Sequence, residues 1–282
     1  MILLNDNELQ NLLHEDVPFG DLTTSSFGID KCHAKMNFST REEPLILSCT
    51  EEAVRLCKIY GLDIVKTVAS GTLIEPKTIF LEVQGEAGTI HRLWKTIQNL
   101  LDYASGVATY THSLCTIAQS VNPEIVIATT RKTIPFTKKI AIKSVESGGG
   151  IAHRLGVSES ILVFGYHRVF FSTDELFAQA FVKVKRSNPE KKIVVEVENL
   201  EEALQFASLG ADILQLEKFS IKELSKSVLI LRAKYPHILL MATGGIVLSN
   251  IKEYVSTGVE VIVTTSPYNA KPANIKVRIE SL

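Results

Sequence analysis

The sequence lacks the features of membrane and disulfide-stabilised proteins. No apolar run approaches the roughly 20 residues that a membrane span requires. The first residues hold no basic segment and no small-residue cleavage site, so we expect no signal peptide and a cytoplasmic protein. The four cysteines, Cys32, Cys49, Cys57 and Cys115, form no CxxC pair. We therefore predict reduced thiols, and neither a disulfide framework nor a zinc site.

The sequence also lacks an excess of charge of either sign. Thirty Lys and Arg residues oppose 31 Asp and Glu residues, which gives a formal net charge of −1. Such a chain has no overall positive field with which to collect nucleic acid, so we expect no nucleic-acid partner and no insertion into a membrane. Any function of the basic residues must come from their local clustering.

Short β-branched runs alternate with amphipathic segments from about residue 123 onward. The runs are EIVIATT (124–130), SILVFG (160–165), KIVVEVE (192–198), ADILQLE (211–217), HILLMATGG (237–245) and VEVIVTTS (259–266). This alternation indicates parallel strands joined by helices, with both faces of the sheet buried. A doubly wound sheet is the alternative, but reactive side chains follow nearly every run, as at the rim of a β/α barrel. We predict an incomplete, six- to seven-stranded TIM-like α/β barrel.

The region before the barrel has a different pattern. Residues 1–105 contain strand-like runs with turn signals at Gly71 and Gly85, and two amphipathic helical segments. We predict an N-terminal α+β domain, an α/β sandwich, over residues 1–105. A barrel domain follows over 106–269, and the segment 270–282 rejoins the first domain.

The motif TTRKT (129–133) is the first candidate anion site. Two hydroxyls and two cations, Arg131 and Lys132, follow a strand and precede a predicted helix start. Backbone N–H groups, a helix dipole and cations would then converge on one anion. The alternative is a solvated Arg-Lys pair, although cations are unfavourable at the N-terminus of a helix.

The stretch GGGIAHR (148–154) is the second candidate. Glycines permit positive φ angles and a close approach of the backbone to a ligand. We predict that the N–H groups of Gly148 and Gly149 bind phosphate, with His153 and Arg154 as further donors. The alternative is a loose surface turn before a basic helix.

Carboxylates form the third group. Glu196 and Glu198 lie two residues apart and share one face of a strand, and Glu217 ends the next strand. Carboxylates inside a barrel need a cation, and Mg²⁺ favours a few carboxylates together with substrate phosphates. We therefore predict Glu196 and Glu217 as magnesium ligands. An internal ion pair is an equally good interpretation.

The loops after the last two strands form the fourth group. Thr243, Gly244 and Gly245 follow one strand, and Thr264 and Thr265 follow the other. Late strands of β/α barrels often carry a phosphate site in these loops, although ordinary turn chemistry explains them too.

Several motifs together resemble the quinolinate phosphoribosyltransferase (nicotinate-nucleotide pyrophosphorylase) family. They are EDVPFGDLTT, LLDYASGVAT, TTRKTIP, GGGIAHRLG, VEVENLEEA, ADILQLEKF and TGGI, in the family's order and near its spacing. The resemblance implies an α/β domain, an incomplete barrel, and a homodimer in which a basic residue of the partner completes each active site. It also implies transfer of phosphoribosyl from phosphoribosyl pyrophosphate, with Mg²⁺, to an acceptor and release of pyrophosphate.

The resemblance also assigns roles by position. Arg131, Lys132, His153 and Arg154 fall at the anionic acceptor, with Lys132 catalytic, and His167 falls at the substrate. The catalytic carboxylates Glu196 and Glu217 fall on the ribose and metal side. The residues Thr243, Gly244, Gly245, Thr264 and Thr265 fall on the phosphate loops. Lys95 takes the place of the partner-donated arginine, without the bidentate fork of a guanidinium.

Departures from the family pattern concentrate at the site. Thr130 stands where the family has Asp, Glu146 where many members have a basic residue, Ala152 where it has Asn, and Phe164 where it has Lys. These changes resemble a side branch of the family that is encoded with molybdate transport genes. We therefore predict a phosphoribosyltransferase whose acceptor is not quinolinate and whose function is linked to molybdate transport.

Other functions stay open at this point. The chain could be a genuine nicotinate-nucleotide pyrophosphorylase of NAD biosynthesis, or a catalytically degenerate protein that binds an oxyanion or a nucleotide. A barrel lyase that uses Lys218 as a Schiff-base amine is a third and weaker alternative.

Overall fold

The structure is a computed structural model and describes residues 4–282. The chain folds as two compact units. The first contains the residues up to His112 together with 133–149 and 267–282, and the second contains 113–132 and 150–266. The domain division predicted from the sequence, at residues 105 and 269, stays a prediction. Within the described residues no helix is both long and apolar enough to cross a membrane.

The elements alternate along most of the chain. The helices are α1 (Asp6–Asp16), α2 (Leu22–Phe27), α3 (Thr50–Ile59), α4 (Ala87–Gln119), α5 (Lys138–Ser147), α6 (Gly165–Arg168), α7 (Asp174–Ser187), α8 (Leu200–Ser208), α9 (Ile221–Lys234) and α10 (Ile251–Val255). The strands are β1 (His33–Ser39), β2 (Leu45–Ile46), β3 (Asp63–Thr67), β4 (Leu73–Ile74), β5 (Ile79–Glu86), β6 (Val126–Thr129), β7 (Ile151–Ala152), β8 (Ile161–Val163), β9 (Ile193–Val197), β10 (Ile213–Glu217), β11 (Leu239–Thr243), β12 (Val261–Thr264) and β13 (Lys276–Ser281).

The first unit is built on a four-stranded antiparallel sheet of order β13–β1–β5–β3. Ala34, Met36 and Phe38 alternate along β1 and are buried, because successive side chains of a strand point to opposite faces. They pack in one core with residues of α1, α3 and α4. Strand β13 pairs with β1, so the last residues of the chain complete this sheet.

A buried ion cluster fixes helix α5 within the first unit. The Lys143 ammonium donates to Glu52 and to Glu51, where Nζ and Oε2 lie 2.7 Å apart. Lys143 and Glu52 are both buried. The Ser48 hydroxyl donates to the Ser144 hydroxyl at 3.2 Å. Because a buried charge is costly without a partner, the cluster specifies how α5 packs on α3.

Helix packing explains Gly148, which caps α5. A Cβ at this position would collide with the Ala108 carbonyl oxygen and lie 2.7 Å from the Thr111 Cβ, both on α4. Gly149 has a φ of +91°, in the region that favours glycine. In the first unit, therefore, a neighbouring helix approaches the Gly148 backbone.

The second unit is a curled sheet of seven parallel strands, ordered β7–β6–β12–β11–β10–β9–β8. In the part of the chain that the structure describes, β7 and β8 are the two unpaired edges, so the barrel is incomplete. The predicted fold class is confirmed. Thr173, Asn199 and Ser220 cap helices α7, α8 and α9 through their side chains.

The structure differs from the sequence pattern at two places. Strand β7 has only two residues, Ile151 and Ala152, too few to produce a β pattern in the sequence. The predicted helix start directly after TTRKT is wrong, because α5 begins only at Lys138. The helix dipole therefore contributes nothing at Arg131 and Lys132.

Candidate active site

A cavity of about 860 Å³ opens at the carboxyl ends of the strands in the second unit. Parallel strands bring the residues that follow them to one edge, which is where β/α barrels hold their active sites. The predicted residues that line this cavity are Arg131, Lys132, His153, Arg154, Glu196, Glu217 and Thr243. The cavity therefore gathers the cations and the carboxylates that the sequence separates.

Cations form one part of the lining. The N–H of His153 donates to the Thr129 carbonyl oxygen at 3.0 Å, which continues the pairing of β6 with β7 and carries His153 and Arg154 into the cavity. Arg154 is only 6% exposed. One of its terminal nitrogens donates to the Ser160 carbonyl oxygen at 3.2 Å. Its Nε is buried and has no hydrogen-bond partner among residues 4–282.

The charges of this group act on one another. Burial, and then the charge of Arg131, lower the pKa of Arg154. Burial, and then the charge of Arg154, lower the pKa of His153 below its usual 6.5. His153 is therefore a neutral imidazole at pH 7, and it can donate or accept a hydrogen bond. An anion in the cavity would relieve the repulsion between the two guanidinium groups.

Carboxylates form a second part of the lining. Glu196, Glu198 and Glu217 all line the cavity. Burial, and then the charge of Glu217, raise the pKa of Glu196. Gln215 also lines the cavity, although no motif singled it out, and it donates from Nε2 to the Glu196 Oε2 at 2.8 Å.

The carboxylates fit a magnesium ion. Within the described chain, no three His, Cys, Asp or Glu side chains form a closed metal cluster. Mg²⁺ does not need one, since it binds through one or two carboxylates and completes its shell with water and substrate phosphates. Glu196 and Glu217 have mutually unfavourable charges, and a cation between them would remove that repulsion.

The segment after β8 supplies an aromatic wall. Phe164 lines the cavity, and its N–H donates to the His167 Nδ1 at 2.9 Å. The two rings stack with centroids 5.8 Å apart. His167 itself is not a lining residue, so its predicted contact with substrate stays a prediction. Arg168 lines the cavity but pairs with Glu202 and lies over the Phe206 ring, 5.2 Å from its centroid.

The polar groups that follow strands β11 and β12 form hydrogen bonds within the protein. The Thr264 hydroxyl donates to the Ile246 carbonyl oxygen at 2.7 Å, and the hydroxyls of Thr130 and Thr265 lie 2.8 Å apart. Gly244 has a φ of +99°, and a Cβ there would lie 2.6 Å from the Lys218 Cγ. Of these loops only Thr243 is a lining residue, so phosphate binding by Gly244, Gly245, Thr264 and Thr265 stays a prediction.

Three predicted residues lie in the first unit. Gly148 and Gly149 follow α5, and Lys95 lies on α4. The Lys95 Nζ donates to the Gln98 Oε1 at 3.0 Å and lies 5.3 Å from the centroid of the Trp94 ring. Their predicted contacts with phosphate and with a partner's substrate stay predictions.

Two domain families match the sequence and together cover nearly all of it. Residues 107–278 match "Quinolinate phosphoribosyl transferase, C-terminal domain", and residues 21–105 match "Quinolinate phosphoribosyl transferase, N-terminal domain". The chain belongs to the quinolinate phosphoribosyltransferase family. It is therefore an enzyme of the pentosyltransferase class.

Curated relatives place the chain on a branch of this family. The pyrophosphorylase named ModD in Pasteurella multocida is 35% identical over 99% of each chain. The ModD protein of Rhodobacter capsulatus is 38% identical over 89% of this chain and 95% of its own. A Methanocaldococcus jannaschii protein named as a nicotinate-nucleotide pyrophosphorylase is 32% identical over 90% of this chain and 89% of its own. The predicted side branch of the family is thus the one whose members are named ModD, and the resemblance to it is confirmed.

Solved structures of the family share the fold. The nicotinate-nucleotide pyrophosphorylase of Francisella tularensis superposes with a TM-score of 0.88 at 24% identity, over 99% of this chain and 98% of its own. The enzyme of Ehrlichia chaffeensis gives 0.88 at 23% identity, over 99% of this chain and all of its own (100%). At this identity the likeness shows the fold alone.

The departures from the quinolinate phosphoribosyltransferase pattern differ in their surroundings. Phe164 and Thr130 line the cavity. Ala152 ends strand β7, and Glu146 lies on α5 in the first unit. Two of the departures therefore alter the charge of the cavity lining: Phe164 removes a cation, and Thr130 removes a carboxylate.

Proposed function

We propose that this chain transfers phosphoribosyl from phosphoribosyl pyrophosphate to an anionic heteroaromatic acceptor other than quinolinate, with Mg²⁺. One observation carries the proposal. The buried guanidinium of Arg154, with an unsatisfied Nε, lines the same cavity as the carboxylates Glu196 and Glu217. Phosphoribosyl transfer needs both, because an anion departs while positive charge develops on the ribose.

The reaction divides naturally between the two groups of residues. Arg131, Lys132 and Arg154 hold the anionic groups of the acceptor and of the donor. The bond from ribose C1 to the pyrophosphate oxygen breaks, and pyrophosphate leaves with the electron pair. A lone pair of the acceptor forms the new bond to C1. Glu196 and Glu217 stabilise the positive charge that develops on the ribose.

Magnesium would bind on the carboxylate side. Glu196 and Glu217 are the residues that would hold it. When bound, it supplies positive charge that neutralises the pyrophosphate oxygens.

The acceptor is proposed to differ from quinolinate because of Phe164. A lysine at this position would add a cation to the lining, whereas Phe164 offers an apolar ring. We therefore propose a heteroaromatic acid with fewer carboxylates than quinolinate, whose ring packs against Phe164. The departures at Thr130, Glu146, Ala152 and Phe164 resemble the branch encoded with molybdate transport genes, and we therefore propose a link to molybdate transport. We also propose a cytoplasmic homodimer in which Lys95 of each subunit completes the partner's site.

A binding protein is the second candidate. The unsatisfied Nε of Arg154 would hold an oxyanion equally well without any catalysis. The lyase alternative receives little support, because Lys218 is exposed and its Nζ pairs with the Glu217 Oε1 at 3.3 Å. A Schiff-base lysine is usually activated by desolvation.

Pyrophosphate release tests the proposal. The full chain is incubated with phosphoribosyl pyrophosphate, Mg²⁺ and a panel of heteroaromatic acids that includes quinolinate, and Arg154→Gln serves as the inactive control. We expect release with at least one acid, at a higher rate than with quinolinate. Silence across the panel, together with calorimetric binding of molybdate and not of phosphoribosyl pyrophosphate, would instead establish the binding protein.

A further inference from the structure

Gln215 is a buried polar residue on a strand of the barrel. It lies in the middle of β10, beside Met241 of β11 and beside Glu196 of β9 in the strand register. It is only 5% exposed, and it lines the same cavity as the candidate catalytic residues. A glutamine so placed needs a hydrogen-bond partner for each end of its amide.

Only one end of that amide is satisfied. The Gln215 Nε2 donates to the Glu196 Oε2 at 2.8 Å. The Gln215 Oε1 is buried and has no hydrogen-bond partner within the described chain. Exchanging the amide nitrogen and oxygen would place a second acceptor against the Glu196 carboxylate, so this carboxylate favours the observed orientation. The cavity therefore contains a carbonyl oxygen that lacks a donor.

The two cavity residues nearest to Gln215 in the strand register that carry charge are also acceptors. Glu196 lies on the neighbouring strand, and Glu217 lies two residues further along β10 on the same face. Neighbouring strands run about 4.8 Å apart, a spacing that suits two adjacent hydroxyl groups of one ligand. A ligand group at this place must donate hydrogen bonds.

We infer that Gln215 is a specificity-determining residue whose carbonyl oxygen accepts a hydrogen bond from a ribose hydroxyl of the phosphoribosyl donor. Its Nε2 meanwhile holds the Glu196 carboxylate for the adjacent hydroxyl. This inference rests on the proposed function. It adds to that function a means of distinguishing ribose from deoxyribose phosphates, because a site built to bind a hydroxyl rejects the analogue that lacks it.

Calorimetry with sugar phosphates tests the inference without any turnover. Ribose 5-phosphate and its 2-deoxy and 3-deoxy analogues are titrated into the wild type, Gln215→Met and Gln215→Leu. We expect the wild type to bind ribose 5-phosphate about tenfold more tightly than one of the deoxy analogues, the usual effect of one buried hydrogen bond. In both variants that preference falls to about threefold or less.

Two controls show that the variants are folded. Inorganic pyrophosphate should bind the wild type and both variants equally, since it interacts with the cations. Gln179→Met, an exposed position on α7, should keep the wild-type preference.

Three results would overturn the inference. An undiminished preference in both folded variants would show that Gln215 does not contact the hydroxyl. An equal loss for all three sugars would show that it acts only through Glu196. A loss of Mg²⁺-dependent pyrophosphate binding, with the hydroxyl preference retained, would make the carbonyl a metal ligand. If the wild type binds neither ribose 5-phosphate nor phosphoribosyl pyrophosphate, the proposed function itself fails.

Discussion

The guanidinium of Arg168 forms a two-point ion pair with the carboxylate of Glu202, with nitrogen-to-oxygen distances of 3.0 and 3.4 Å. The Glu202 Oε2 also accepts the N–H of Glu198 at 3.1 Å. Two residues that line the cavity, Arg168 and Glu198, are thus held by one carboxylate on α8.

Glu202→Gln should loosen this part of the cavity. The glutamine carries no charge, so the half-buried Arg168 would lose its ion pair. We therefore expect the free energy of unfolding to fall by about 1–2 kcal/mol. Affinity for phosphoribosyl pyrophosphate should also fall. The measurements are urea unfolding and calorimetry. The exposed neighbour Glu201→Gln is the matched control and should stay within about 0.5 kcal/mol of the wild type. Equal free energies of unfolding and equal affinities in the two variants would show that Glu202 does not hold this part of the cavity.

Gly148→Ala should destabilise the protein through packing. The added Cβ would meet the Ala108 carbonyl oxygen and Thr111 on α4, and overpacking of this kind costs about 1–3 kcal/mol. Gly156→Ala is the control, because a Cβ there meets nothing within 4 Å. Thermal unfolding should show a lower midpoint for the first variant only. An unchanged midpoint for Gly148→Ala would show that α4 does not require this glycine.

Glu51 should make stability depend on acid pH. Burial alone raises the pKa of Glu51, but hydrogen bonds from Lys143 and Ser70 outweigh it and lower the pKa to about 2. The unfolded carboxyl titrates near pH 4.3, so the stabilisation is complete above about pH 5 and disappears as the pH falls toward 2. Urea unfolding of the wild type and Glu51→Gln should differ at pH 7 and converge near pH 2. A difference that persists unchanged at pH 2, or one equal to that of the exposed Glu43→Gln, would exclude the titration of Glu51 as the cause.

Phe164→Lys should restore a cation to the cavity. We expect about tenfold tighter binding of quinolinate, because a charged hydrogen bond contributes about 1.5 kcal/mol or more. Phe170→Lys adds the same charge at an exposed residue that does not line the cavity, and it should change nothing. The measurement is the dissociation constant of quinolinate for the wild type and for each of the two variants. Equal affinity in Phe164→Lys and the wild type would show that this position does not select the acceptor.

The strands and the cation group could be predicted from the sequence. All six β-branched runs contain strands. A strand that is buried on both faces is apolar at nearly every position, so it stands out in the sequence as a short continuous apolar run. Arg131, Lys132, His153 and Arg154 line one cavity, as the sequence indicated, because basic side chains that follow parallel strands meet at one edge of the sheet.

The remaining features depend on contacts between distant parts of the chain. The sequence suggested that Gly148 belongs to a ligand-binding loop, because the residues of α4 that contact it lie some forty residues earlier in the chain. Gln215 looked like one polar residue in a core strand, since only the pairing of β10 with β9 reveals that its Nε2 is used and its Oε1 is not. The single available signal was a glutamine between two leucines.

The most direct test of phosphoribosyl transfer is a search for its product. The full chain is incubated with Mg²⁺, phosphoribosyl pyrophosphate labelled with ¹³C in the ribose, and a mixture of small acids from a cell extract. Mass spectrometry should find a labelled nucleotide of an acid other than quinolinate, in amounts equal to the pyrophosphate released, and none with Arg154→Gln. The absence of any labelled nucleotide would contradict phosphoribosyl transfer. Nicotinate mononucleotide formed from quinolinate with release of CO₂, as the main product, would contradict a changed acceptor.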